Sequence, residues 1–161
     1  MHSLLPPKKL DFGLFNHVLR LSVASYAAVT RQAMTPGCFV TVISADADKI
    51  LLPPTLFGEV PVTDRARCSF MSAEQATRLR AQPLHVSSWQ SRDEKAKPFG
   101  RRGGAVKGRT PIISVAGLTE HGNEAVALTV AVLWEELSLD NALVISNMSN
   151  NVLFSRMGLA G

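Results

Sequence analysis

Apolar residues first recur at helical spacing. Phe15, Val18, Leu19, Val23, Tyr26 and Ala27 stand three or four positions apart, which places them on one stripe and predicts an amphipathic helix from Asp11 to about Met34. Asp11 suits the N-cap, because its carboxylate can accept from the free amides of the first turn. Pro36-Gly37 ends the segment. The pattern then changes: Cys38 to Ala45 is a β-branched and aromatic run, too short for another helix, and predicts a strand. Asp46-Ala-Asp48 reads as a turn, Lys49 to Leu52 as the returning strand of a hairpin, and Pro53-Pro54 as its end. Residues 55–63 read as a loop.

A helical region follows from Thr63 or Asp64 to about Gln82. Ser72 and Gln75 have capping-box spacing, which predicts a break near Phe70. Leu84 to Gln90 is a strand candidate. Residues 91–109 read as an exposed loop carrying Gly100, Gly103, Gly104 and Gly108, with a short strand at Ala105 to Lys107. Thr110 to Ala116 predicts the last strand, with Pro111 admissible only at its start or on an edge. Thr119 or Asn123 caps a helix that runs to about Leu137. The tail fits two readings, a hairpin (Ala142 to Ser146 with Val152 to Phe154) or an added helix. Hairpin-joined strands interrupted by helices predict an α+β fold with a central, mainly antiparallel sheet. The expected division is an arm over 1–10, a single domain over 11–138, and an extension over 139–161 whose apolar content suits packing in an oligomer.

Composition adds bounds. With 161 residues, 46% of them hydrophobic, the chain is sized for one domain and rich enough for a core. The opening residues lack a signal-peptide pattern, and no stretch approaches the roughly 20 apolar residues that span a bilayer. A cytoplasmic protein without membrane contact is expected. Cys38 and Cys68 form no Cys-x-x-Cys pair and read as buried free thiols.

Net charge is +4, unevenly spread. Arg92, Lys95, Lys97, Arg101, Arg102, Lys107 and Arg109 face only Asp93 and Glu94 within one segment. Its glycines do not make a phosphate loop: Lys107 precedes Gly108, and the segment leads into a strand rather than a helix. Guanidiniums beside glycine-freed amides do suit a looser anion site. Nucleic acid is disfavoured, since only Trp89 and Phe99 could offer stacking. His2, His17, His85 and His121 show no zinc-ligand spacing, and no metal site is expected. His121, in the turn before the last helix, is the histidine best placed for function. Asp46 and Asp48 are explained by turn chemistry, and Glu135-Glu136 as a solvated helix end. No nucleophile, base and orienter come together. Binding is therefore favoured over catalysis, and no catalytic residue is proposed.

The stretch from Gly103 to Ala127 resembles the closing segment of small haem-binding, GlcG-like proteins. A Gly-Gly turn leads to a short strand, then to a strand ending in Val115-Ala-Gly117, a polar turn, and a helix opening with Glu124-Ala-Val-Ala127. The resemblance implies a three-layer, profilin-like architecture, frequent oligomerisation, and binding of haem, another tetrapyrrole or a related small anionic molecule. Haem is thus the candidate cofactor. Arg101, Arg102, Lys107 and Arg109 would meet the anionic groups, above a floor that includes Gly104, Gly117 and His121. The family's Gly-Gly in the first hairpin is here Asp-Lys. A GAF-type sensor domain shares the element order and is the competing resemblance; a purely structural assembly module is the other alternative.

Overall fold

The strand β1 (Cys38–Ser44) has no exposed position, because both of its faces and both of its edges are covered. In a computed structural model, which describes residues 10–158, it lies inside a four-stranded sheet with β2 (Ile50–Phe57), β3 (Ala105–Lys107) and β4 (Pro111–Ala116) in the order β2-β1-β4-β3. Every pairing is antiparallel. Most of the expected arm, residues 1–9, and the end of the tail, residues 159–161, lie outside the described residues. A strand covered on two faces needs apolar residues at both parities, and so reads as a continuous run rather than an alternation.

Helices cover both faces, so the fold is α+β. Val40, Val42, Val106, Ile113 and Val115 face α3 (Glu120–Leu133), on which α1 (Phe12–Val29), α4 (Leu139–Met148) and α5 (Val152–Arg156) pack. Every residue from Gly122 to Ala131 is buried, as befits a helix between a sheet and other helices; Ala125, Ala127 and Ala131 let those neighbours approach closely. The other face presents Phe39, Thr41, Ile43, Ile112, Ser114 and Ala116 to α2 (Val62–Arg80). Asp11 caps α1 as expected, accepting from the Leu14 amide at 3.1 Å, and Thr119 caps α3, accepting from Gly122 at 3.0 Å.

Several boundaries differ from expectation. α1 ends at Val29 rather than near Met34, where the Thr30 hydroxyl turns back to the Tyr26 carbonyl at 2.7 Å. Pro53 and Pro54 do not end the hairpin; β2 continues to Phe57 because it is an edge strand, which tolerates a missing N–H. α2 is unbroken at Phe70, and Ser72 and Gln75 cap nothing: both are fully buried against the sheet. Leu84 to Gln90 forms no strand. A single bridge, Ser87 with Val106, precedes a short 3-10 turn, Ser88–Ser91, with its own Ser87/Gln90 capping box. α3 stops at Leu133, and Glu135 takes a left-handed φ of 63°. Glu136 is no solvated residue: it is 3% exposed and accepts from the Thr110 amide at 2.9 Å.

The tail adopts helices, not a hairpin. Ala142, Ile145, Phe154 and Met157 join the main core. Buried Glu124 fastens it: its carboxylate accepts from Ser87 Oγ at 2.7 Å, from Asn151 Nδ2 at 3.0 Å and from Ser149 Oγ. A buried carboxylate needs such donors, and these three join α3, the 3-10 turn and the α4–α5 connection.

Candidate functional site

The basic segment is not a loose loop, because α2 pins it. Arg78, in the last turn of α2, has a side chain only 9% exposed. It forks onto Glu74 at 2.8 and 3.2 Å, one turn back. Its remaining donors reach the carbonyls of Ser88 (2.8 Å), Ser91 (3.1 Å) and Arg102 (2.6 Å) and the Ser91 hydroxyl (2.6 Å). One planar guanidinium thus satisfies three loop carbonyls, which a lysine could not reproduce. The loop's second anchor is Glu120, in the first turn of α3. Its carboxylate accepts from Arg92 Nε at 2.5 Å, from Arg92 Nη2 at 2.8 Å and from the Gly103 amide at 2.8 Å. This partnership pushes the Arg92 pKa up, chiefly through the hydrogen bond to Glu120. Arg92 also lies over the Trp89 ring, 4.5 Å from its centroid, in the geometry of a cation–π contact.

Between the pinned loop, α2 and the turn into α3 is a cup of about 220 Å³, lined by Arg67, Met71, Phe99, Arg102, Leu118, Glu120 and Asn123. Arg67 and Met71 are one turn apart on α2 and reach the cup from one side. Leu118, Glu120 and Asn123 come from the β4–α3 connection. Glu120 contributes little free negative charge, since Arg92 and the Gly103 amide already engage it. Arg102 is held only at 3.4 Å from Glu94 and 3.9 Å from Glu120, and Arg67 at 3.3 Å from exposed Asp64. Such long or exposed pairs are weak, so both guanidiniums have donors to offer a ligand.

Asn123 is the most informative lining residue. It is 3% exposed, and its Oδ1 accepts from the Leu118 amide at 2.9 Å. That bond fixes which end of the amide is which. Among the described residues its Nδ2 makes no hydrogen bond, and the residue lines the cup. Beneath it, Gln75 donates to Ser114 Oγ at 3.1 Å and the Val115 carbonyl at 3.0 Å, while its own Oε1 is buried without a hydrogen bond. Gly104 (φ 146°) is required here: a Cβ would lie 2.6 Å from both Gln75 Nε2 and the Val115 carbonyl.

The expected site residues divide. Arg102 lines the cup, and Gly104 lies under it, beside Asn123. Arg101 turns to a neighbouring groove along α2. Lys107 and Arg109 line two other clefts, one with Glu135 to Asn141 and one with Ala45 to Asp48; burial pulls the Lys107 pKa down. Gly117 (φ 119°) packs on Cys38. His121 is outside the cup: its Nε2 meets the Ser149 carbonyl at 2.9 Å, and its ring stacks 4.5 Å from Trp89. Arg67, Met71, Phe99, Leu118, Glu120 and Asn123 are not among the expected site residues. The signal was the weak apolar stripe of α2, whose polar residues at 67, 75 and 78 recur at helical spacing. Both thiols are buried, and burial, with Cys68 nearby, pushes Cys38 up to about 12.

Among the described residues no helix is long and apolar enough to cross a membrane, and no group of three His, Cys, Asp or Glu side chains is placed to hold a metal ion. Compared with family models, curated proteins and solved structures, the chain matches none.

Proposed function

We propose that this protein binds a small organic anion in the cup between Arg67, Arg102 and the turn into α3. The observation that carries the reading is Asn123, an almost fully buried amide that presents an unpartnered donor to a cavity flanked by two weakly engaged guanidiniums. That N–H is left free by the protein and open to the cup, where a ligand oxygen would accept from it. A carboxylate fits this donor set, with one oxygen toward Asn123 Nδ2 and charge shared with Arg102. Met71, Phe99 and Leu118 offer apolar contact to the rest of the molecule.

Size selects among anions. The cup, at about 220 Å³, falls below the ~300–1,000 Å³ of sites that enclose drug-sized ligands. That favours a small acid over a tetrapyrrole held whole, and narrows what the likeness to haem-binding, GlcG-like proteins implies. Calorimetric titration with butanoate tests the reading, with haemin followed by absorbance as the comparison. Saturable butanoate binding that weakens at least tenfold in both Arg102→Gln and Asn123→Leu is expected. Absence of butanoate binding, or equal affinity in wild type and both variants, overturns it. Saturable haemin binding that leaves butanoate without effect would replace the small acid by the tetrapyrrole.

A further inference from the structure

The outer side of α2 carries a second concavity beside the cup, and one aromatic pair joins them. This groove measures about 520 Å³, and Phe70, Ala73, Thr77 and Ala81 form its apolar wall, with Arg101 at its rim. Ala73, Thr77 and the C-cap residue Ala81 follow Phe70 at helical spacing, and their small side chains leave a furrow. Phe70, in the groove, meets Phe99, in the cup, edge to face with centroids 5.6 Å apart. Both rings are substantially exposed, at 44% and 39%. The backbone adds a second link: Arg78, at the groove, holds the carbonyl of Arg102, at the cup.

We infer that cup and groove form one elongated site for an amphipathic carboxylic acid, with its carboxylate in the cup and its hydrocarbon tail running over the Phe70–Phe99 pair into the groove. The inference rests on the proposed anion site and names the ligand class it would take. Division of labour supports it. The cup supplies the cationic and hydrogen-bonding groups but little length. The groove supplies apolar wall but, beyond Arg101 at its rim, no free charged partner, since Arg78 and Glu74 bind each other. Exposed aromatic surface between the two is the surface a hydrocarbon chain would cover.

The test is a chain-length series of butanoate, hexanoate and octanoate, titrated against the full chain. Burial of a methylene is worth up to about fourfold in affinity, and in an open groove roughly twofold per methylene is expected. Thr77→Trp and Ala81→Trp, both at exposed positions, would each fill the groove. They should abolish the gain from butanoate to octanoate while leaving butanoate affinity within about twofold of wild type. Phe70→Ala should reduce the gain without removing it. Equal affinity for all three acids in wild type, or a gain that survives both tryptophan variants, overturns the inference while leaving the anion site standing. Failure of butanoate to bind, whatever the longer acids do, overturns the anion site itself.

Discussion

Toward α3 the sheet offers Val40, Val42, Val106, Ile113 and Val115, and the facing helices answer with hydrocarbon; toward α2 it offers Thr41 and Ser114 among its apolar residues, and α2 answers with Ser72 and Gln75. The first face is held by area removed from water, which is non-directional and tolerant of exchange. The second is held partly by directional contacts: Thr41 and Ser72 share a hydrogen bond of 2.8 Å, and Gln75 spans Ser114 and the Val115 carbonyl. Each such bond adds only about 0.5–1.5 kcal/mol net, but each also fixes the rotation of α2 about its axis. That rotation sets where Arg67, Met71 and Arg78 point. The cup stands at the polar face, so the bonds that fix the rotation of α2 also aim the side chains that line it.

The largest effect is expected on the apolar side. Phe154→Ala removes a fully buried ring of the tail and should cost about 3–5 kcal/mol, read as a lower urea midpoint of the whole cooperative transition. A loss below about 1 kcal/mol would mean that the tail is an appendage rather than core. On the polar side, Arg78→Met leaves Glu74 and the carbonyls of Ser88, Ser91 and Arg102 without their donor. A loss of about 3 kcal/mol is expected, at the low end for broken buried pairs because Glu74 is 22% exposed. Hydrogen exchange should quicken across residues 88–103 more than across α1. Uniform quickening would deny Arg78 its role as the loop's anchor.

A pH effect joins the two faces at β1. Cys38 keeps its proton to about 12 when folded, against 9.0 ordinarily. Between those values the folded state binds more protons than the unfolded, so stability falls as pH rises, by up to about 1.4 kcal/mol per unit. Well below pH 9 both states keep the proton and the thiol contributes no slope. Melting curves at pH 8 and pH 10 should therefore show a smaller alkaline drop in Cys38→Ala than in wild type; equal drops would assign the loss elsewhere. The smallest effect is expected in the polar seam itself. Ser72→Ala strands the Thr41 hydroxyl and should cost about 1 kcal/mol, whereas Thr41→Val with Ser72→Ala should be nearly neutral. If the double variant retains stability and still binds butanoate like wild type, the polar seam is not what orients α2.

Much of the fold was legible along the chain. The stripe from Phe15 to Ala27, the run from Cys38 to Ser44, and Pro111 at the start of β4 each announce their element through local spacing or a missing N–H. Helix α2 was less legible. Its inward face carries Ser72 and Gln75, whose capping-box spacing imitates a helix start and so predicts a break near Phe70. The tail was ambiguous for the opposite reason: Ala142, Ile145 and Phe154 satisfy a short strand or a short helix equally, and only the surfaces of α1 and α3 select between them.

Propensity, turn chemistry and charge are local properties, and along the chain they suffice for an α+β fold with a largely antiparallel sheet, two buried thiols, and positive charge concentrated between residues 92 and 109. Tertiary structure decided that this charge is divided, with Arg102 brought to Asn123 and Phe99 while Lys107 and Arg109 face other clefts. Partners such as Arg78 with Ser88, or Glu120 with Arg92, are 10 and 28 residues apart. Only the packing of α2 and α3 on the same sheet brings them within reach of a hydrogen bond.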